Sequence, residues 1–147
     1  MENIFLDTNV VMDYILGRNE SDDVRNVFRC IASKKCTAYI SVGSFYTITY
    51  LVEVALKSKG LDKQERVRLA RKILVDLLNS VELSFQSSTF LLDGVNDERF
   101  MDLEDSYQYQ AAVSANCSYI ITRNVKDFKG VDDQDVRIVL PKDFPVK

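Results

Sequence analysis

Three groups of oxygen-bearing side chains stand out in this sequence of 147 residues. Asp7-Thr8-Asn9 follows the apolar run Asn3-Ile4-Phe5-Leu6, Asp105 closes the segment Asp102-Leu103-Glu104-Asp105, and Asn124 and Asp127 follow the run that ends at Thr122. Carboxylates and amides are hard oxygen ligands, suited to Mg²⁺ or Mn²⁺ and not to zinc. Gathered in one place without a cation, such acids repel one another and their pKa values rise. A divalent ion removes the conflict, polarises a phosphodiester and lowers the pKa of a bound water. The chain has no histidine and no tryptophan. That excludes a Ser-His-Asp triad, a Cys-His pair, His-ligated zinc and histidine acid–base catalysis. Any enzymatic chemistry must come from carboxylates, amides, hydroxyls, Lys, Arg or a metal. The net charge of −3 means that polyanion binding needs a local basic patch or a metal that offsets the acids.

The elements that must position these groups are legible as alternating strands and helices. The run 3–6 reads as a buried strand, the apolar residues 10–16 as a helix stopped at Gly17, and residues 19–23 as a loop and cap before a helix carrying Val24, Val27, Phe28 and Ile31. A second strand is expected at 37–41. It leads into a helix over 42–58 that is apolar almost all round, so part of it is expected to face another subunit. Asp62 caps the next helix, residues 81–85 alternate as a strand, and 87–97 read as a short helix. Asp102–Asp105 opens a helix whose later Ala111, Ala112 and Ala115 allow close packing on a sheet. Strands are expected at 118–122 and 136–140. The pattern implies an α/β fold, a three-layer α/β/α sandwich around a mostly parallel sheet, with 1–147 as a single domain. Ligands bind such sheets beyond the carboxyl ends of the strands, where the acids stand. The three cysteines are expected to be small core residues in a reducing cytoplasm, and neither a signal peptide nor a membrane-spanning run is evident.

The segments I-F-L-D-T-N-V-V-M-D-Y, L-E-D-S-Y-Q-Y-Q-A-A and Y-I-I-T-R-N-V-K-D-F resemble the three main motifs of the PIN domain, in the same order and the same strand–helix context. This is the nuclease fold of bacterial VapC-type toxins and of many RNA-processing proteins, and the resemblance runs from Asn3 to Leu140. It implies a Mg²⁺- or Mn²⁺-dependent ribonuclease in which Asp7, Asp105 and Asp127 hold the metal. Asn124 falls where relatives carry a further Asp or Asn near the ion. Thr8 and Asn9 match the turn that fixes the first acid and, with Arg123, are expected on the nucleic-acid side of the site. It also implies a homodimer or an antitoxin protein as partner. The chain departs from the family in one place. An acid expected on the helix after the second strand is replaced by Thr47, and Glu53 lies six residues on, turned by roughly 240° and displaced by about 9 Å. Asp13 and Glu104 are the other carboxylates within reach of the motifs.

Bland readings stand beside these. Asp7 also suits a helix cap, Asp105 suits the positive end of a helix dipole, and Asn124 and Asp127 suit ordinary turns. Asp13 reads as an exposed or N–H-bonding helix residue. The basic stretch from Lys57 to Lys72 reads first as a solvated helix hairpin and second as an RNA-tracking surface. Tyr107 and Tyr109 read as core or as stacking platforms for bases. Two other functions fit less of the sequence: a PIN-fold binding module weakened by Thr47, and a phosphotransfer domain with Asp7 as nucleophile.

Overall fold

A computed structural model describes residues 1–19, 21–131 and 136–146, with Ser21 placed by its backbone. Glu20, read from sequence as part of the second helix's approach, lies outside the described residues. The strands β1 (Glu2–Leu6), β2 (Cys36–Ser41), β3 (Glu82–Ser84), β4 (Tyr119–Ile121) and β5 (Arg137–Val139) form one sheet in the order β3-β2-β1-β4-β5. All four pairings are parallel. The connecting helices are α1 (Thr8–Leu16), α2 (Ser21–Ala32), α3 (Val42–Ser58), α4 (Lys63–Ser80), α5 (Ser88–Val95) and α6 (Leu103–Ser114). The expected α/β architecture is therefore the one observed.

Alternation along the central strand builds the three layers. Ile4 and Leu6 join a core made with α1, α2, α3 and α4, whereas Phe5 joins a second core with Ala111, Ala112, Phe100 and Phe128. Successive side chains of a strand point to opposite faces, so β1 is buried on both. Ala111 and Ala112 are fully buried, and the hydroxyl of Ser84 donates to the Ala111 carbonyl at 2.8 Å, which draws α6 onto β3. Gly17 ends α1 with φ 61°, a left-handed cap that any Cβ would strain. Cys30, Cys36 and Cys117 are buried and free.

Three strands, β3, β4 and β5, are one residue shorter at each end than their sequence patterns. Phe85 leaves β3 and is exposed, and Thr122 stands just past β4 while still bonding through its N–H to Val139. Helix α3 buries Ile48, Val52 and Leu56 but exposes Tyr46, Tyr50 and Val54, four residues apart on one stripe. Among the described residues no helix is long and apolar enough to cross a membrane.

Strand order fixes where a site can form. The chain leaves β1 for β2 on one side and meets β4 on the other, so the crevice beyond the carboxyl ends of β1 and β4 is the switch point of the sheet. Leu6 pairs with Ile121, which sets Asp7 and Thr122 side by side at that crevice.

Candidate active site

Asp7 is the first residue beyond β1, and its N–H donates to the Ile121 carbonyl at 3.0 Å. It stands at the N-cap of α1, yet its side chain makes no capping bond, and only its carbonyl takes the helical N–H groups of Val10 and Val11. The carboxylate is 4% exposed. Its Oδ2 accepts from the Thr122 hydroxyl at 2.6 Å and from Asn9 Nδ2 at 3.1 Å, and the nearby Gln108 amide also acts to lower the carboxyl. Thr122 Oγ1 in turn accepts the Asn124 N–H at 3.0 Å, and Asn9 Oδ1 accepts the Arg123 N–H at 3.2 Å. These bonds tie the turn after β1 to the turn after β4. Burial nevertheless outweighs them, and the Asp7 carboxyl is held above its ordinary range.

Asp105 is freed for the site by a neighbour. Asp102 is the N-cap of α6, and its Oδ1 accepts the N–H groups of Glu104 at 2.8 Å and Asp105 at 3.3 Å. Desolvation raises the Asp105 carboxyl to about 7, with further contributions from the charges of Asp7, Asp102, Asp127 and Glu104. Glu104 is raised too, by desolvation and then by Asp102 and Asp7. Asp127 lies in the 3-10 turn Val125–Phe128, exposed, with its N–H on the Asn124 carbonyl at 2.9 Å. Acids from three distant segments thus lie in one electrostatic neighbourhood. The acids with ion-pair partners, Asp13, Asp22, Glu65 and Asp97, are others.

Among the described residues no three acids or thiols stand close enough to hold an ion directly between them. The donor set fits a divalent ion of a particular kind. Mg²⁺ retains several waters and takes only one or two protein carboxylates, so it does not require a tight all-protein cage. Asp7, Asp105 and Asp127 are the residues that would hold such an ion, with Glu104 adding charge at its rim.

Of the two roles expected for Asp13, exposed or N–H-bonding, it takes the second. It is buried, with Oδ1 taking Arg18 Nε at 3.0 Å and Asn19 Nδ2 at 2.8 Å, and Oδ2 taking Arg123 Nε at 2.9 Å. It is therefore neither an exposed helix residue nor a member of the acid group; it anchors Arg123 beside the crevice. Asp13→Ala removes the acceptor of three donors. Both guanidinium groups are half-exposed and can return to water, so the expected loss is about 2 kcal/mol. Urea unfolding measures it, and a loss below about 0.5 kcal/mol would show the cluster to be structurally idle.

Thr47 lines a cleft of ≈530 Å³ between the start of α3, the end of β3 and α6, together with Glu104, Gln86, Tyr107 and Gln108. Glu53 is exposed and lies outside it. The two tyrosines part company. Tyr107 faces the cleft, and Tyr109 is buried against Phe100 with Arg99 over its ring. In the basic hairpin Arg68 pairs with Glu65 and Arg66 bonds the Leu61 carbonyl, as a solvated surface would. Thr8 Oγ1 and Gln108 Oε1 are buried without a hydrogen-bond partner. Thr122 and Gln108 are neighbours of Asp7 that the motifs alone did not mark. Thr122 was visible as the strand-ending hydroxyl of T-R-N, but nothing local marks Gln108.

The PIN domain profile matches residues 3–126. Among solved structures, VapBC2 from Rickettsia felis, described as bound to a DNA fragment from their promoter, aligns with a TM-score of 0.66 at 19% identity, covering 92% of this chain and 98% of that one. At that identity the likeness is one of fold. No curated protein sequence matches. PIN domains are in general nucleases, and with its profile match spanning most of the sequence, this chain belongs to the PIN domain family.

Proposed function

We propose that the chain is a divalent-metal-dependent ribonuclease whose reaction takes place at Asp7, Asp105 and Asp127. The observation that carries this reading is Asp105: its carboxyl is raised to about 7 by burial and by acids reaching it from the turns after β1 and β4. A fold stabilised for its own sake would pair or disperse these charges, whereas a cation-binding site keeps them unpaired. When bound, Mg²⁺ or Mn²⁺ supplies positive charge to offset that developing on a scissile phosphate, and lowers the pKa of attacking water. The chain's own groups do the rest. Thr122 and Asn9 hold the Asp7 carboxylate in one orientation. Asn9 also fixes the backbone at Arg123, and Asp13 tethers the Arg123 side chain at the crevice, within reach of a phosphate. Asn124 braces Thr122. Thr8 and Asn9 act through the turn they build. The exposed stripe Tyr46, Tyr50 and Val54 suits a protein partner, whether a second copy or an antitoxin.

The test is cleavage of an RNA mixture by the purified chain with Mg²⁺ or Mn²⁺ and with EDTA. Cleavage that needs the ion and is lost in Asp127→Asn is the expected result; metal-independent cleavage, or none, refutes it. A second reading, a PIN fold that binds protein or RNA without cutting, has one observation in its favour: Thr47 in place of the acid, with no preformed three-acid group among the described residues. Mn²⁺ titration by calorimetry separates the two, because the binding module shows no saturable site.

A further inference from the structure

We propose that Arg18 and Arg123, both held by Asp13, form a clamp for an RNA backbone phosphate next to the one that lies at the acids. The inference rests on the ribonuclease reading for its substrate and adds a second point of attachment to it. The clamp begins where α1 ends. Gly17, at φ 61°, closes the helix with its N–H on the Tyr14 carbonyl at 3.4 Å, and the Arg18 N–H returns to the Asp13 carbonyl at 3.1 Å. This reversal folds Arg18 back over the last turn, where its Nε donates to Asp13 Oδ1 at 3.0 Å. Arg123 arrives from the turn after β4, with its N–H on Asn9 Oδ1 at 3.2 Å and its Nε 2.9 Å from Asp13 Oδ2. Asp13 is 1% exposed, so both guanidinium groups are pinned to a fixed point of the core.

Each arginine uses only its Nε on that carboxylate. Among the described residues the terminal amino groups of both have no hydrogen-bond partner. The two side chains are 46% and 39% exposed. What stays open on each is a planar pair of donors, which matches two oxygens of a phosphate. The charges agree. Two guanidinium groups on one carboxylate leave a surplus positive charge, which is favourable only while water or an anion faces it. Lys142 adds another at the hollow of ≈270 Å³ that Arg123 lines, and Asp23, in the first turn of α2, offsets one of the two. A net positive charge therefore remains here, in a chain whose own net charge is −3. Asp13 lies six residues beyond Asp7, or about 9 Å along α1, so a strand with one phosphate at the acids passes the clamp with a neighbouring one. Such a clamp takes any nucleotide, because phosphate contacts fix the position of a strand without reading its bases. Asp13 touches no substrate in this arrangement and is a positioning residue.

The test is made in the Asp7→Asn chain, which cuts too slowly to disturb an equilibrium. A short fluorescein-labelled single-stranded RNA is titrated in Mn²⁺ over a range of salt and followed by anisotropy. Arg18→Gln and Arg123→Gln should each weaken binding about tenfold at low salt. Together they should lower the slope of log K against log salt by about 0.7, the value for one phosphate of a single strand. Asp13→Asn supplies the sign that a merely electrostatic role would reverse. Removing a negative charge beside a phosphate tightens binding if charge alone matters, whereas loss of the positioning group frees both arginines and should weaken it about tenfold. Urea unfolding checks that this variant is folded; if it is not, the two half-exposed arginines decide alone. Unchanged binding in both arginine variants, tighter binding in folded Asp13→Asn, or no RNA binding by the Asp7→Asn chain overturns the clamp. Metal-dependent cleavage by the parent in any of those cases leaves the nuclease reading standing. The expected binding pattern without cleavage by the parent removes the nuclease reading and keeps the clamp.

Discussion

Asp7→Asn is expected to cut RNA roughly 10³-fold more slowly than the parent, and at the same time to make the metal-free protein more stable. The two effects have one cause. Asp7 is nearly sealed from water, and burial raises its carboxyl despite the bonds from Thr122 and Asn9. A carboxyl whose folded pKa lies above its unfolded value favours folding only while protonated, so stability is lost as pH rises from the unfolded value through the folded one. At neutral pH the charge is therefore a burden on the empty fold. Asparagine carries no charge and can keep an oxygen towards Thr122 and Asn9, so the network survives. A gain of about 1 kcal/mol is expected, the usual scale when a functional-site compromise is removed. The check is urea unfolding in EDTA beside cleavage in Mn²⁺. Loss of both activity and stability would recast Asp7 as a structural acid, and unchanged cleavage would remove it from the chemistry.

How far this was visible in the sequence depended on the range of the interactions. The order of strands and helices and the three acid-bearing turns follow from periodicity and local punctuation, and they appear where expected. The charges of Asp7, Asp127 and Glu104 reach Asp105 and raise it, although among the described residues no three acids or thiols stand close enough to hold one ion. What escaped were partnerships set by the fold alone. Asp13 sits among apolar helix residues and looked local, but one of its partners, Arg123, comes from the turn after β4. Gln108 looked like one polar residue in an aromatic helix, and only the packing of α6 on the sheet brings it to Asp7.

Thr47 takes a different meaning in three dimensions. From sequence it is only a missing carboxylate. In the fold it shares a cleft with Glu104, which comes from α6 and lies within the charge field of Asp7. With Thr47 on α3 the cleft carries a hydroxyl on one side and keeps the Glu104 carboxylate on the other.

Asp105 gives the second large effect, through pH. With its carboxyl raised to about 7 against 3.8 for the ordinary group, the Asp105 contribution to the metal-free protein's stability should fall steadily as pH rises from about 4 to about 7 and change little above that. The group is half-buried, so the slope will be shallower than for a sealed acid. Asp105→Asn should flatten the profile. A divalent ion reverses the balance, because opposite charge favours the carboxylate. Mn²⁺ binding near neutral pH should therefore expel a proton, approaching one per ion at about pH 6 and none at about pH 9. Cleavage should rise with pH through the neutral range, with a midpoint that moves down as Mn²⁺ is raised. Calorimetry in buffers of different ionisation enthalpy reads the proton directly. Binding of Mn²⁺ at about pH 6 with no proton released would show that Asp105 does not meet the ion, and the crevice would then have to work with Asp7 and Asp127 alone.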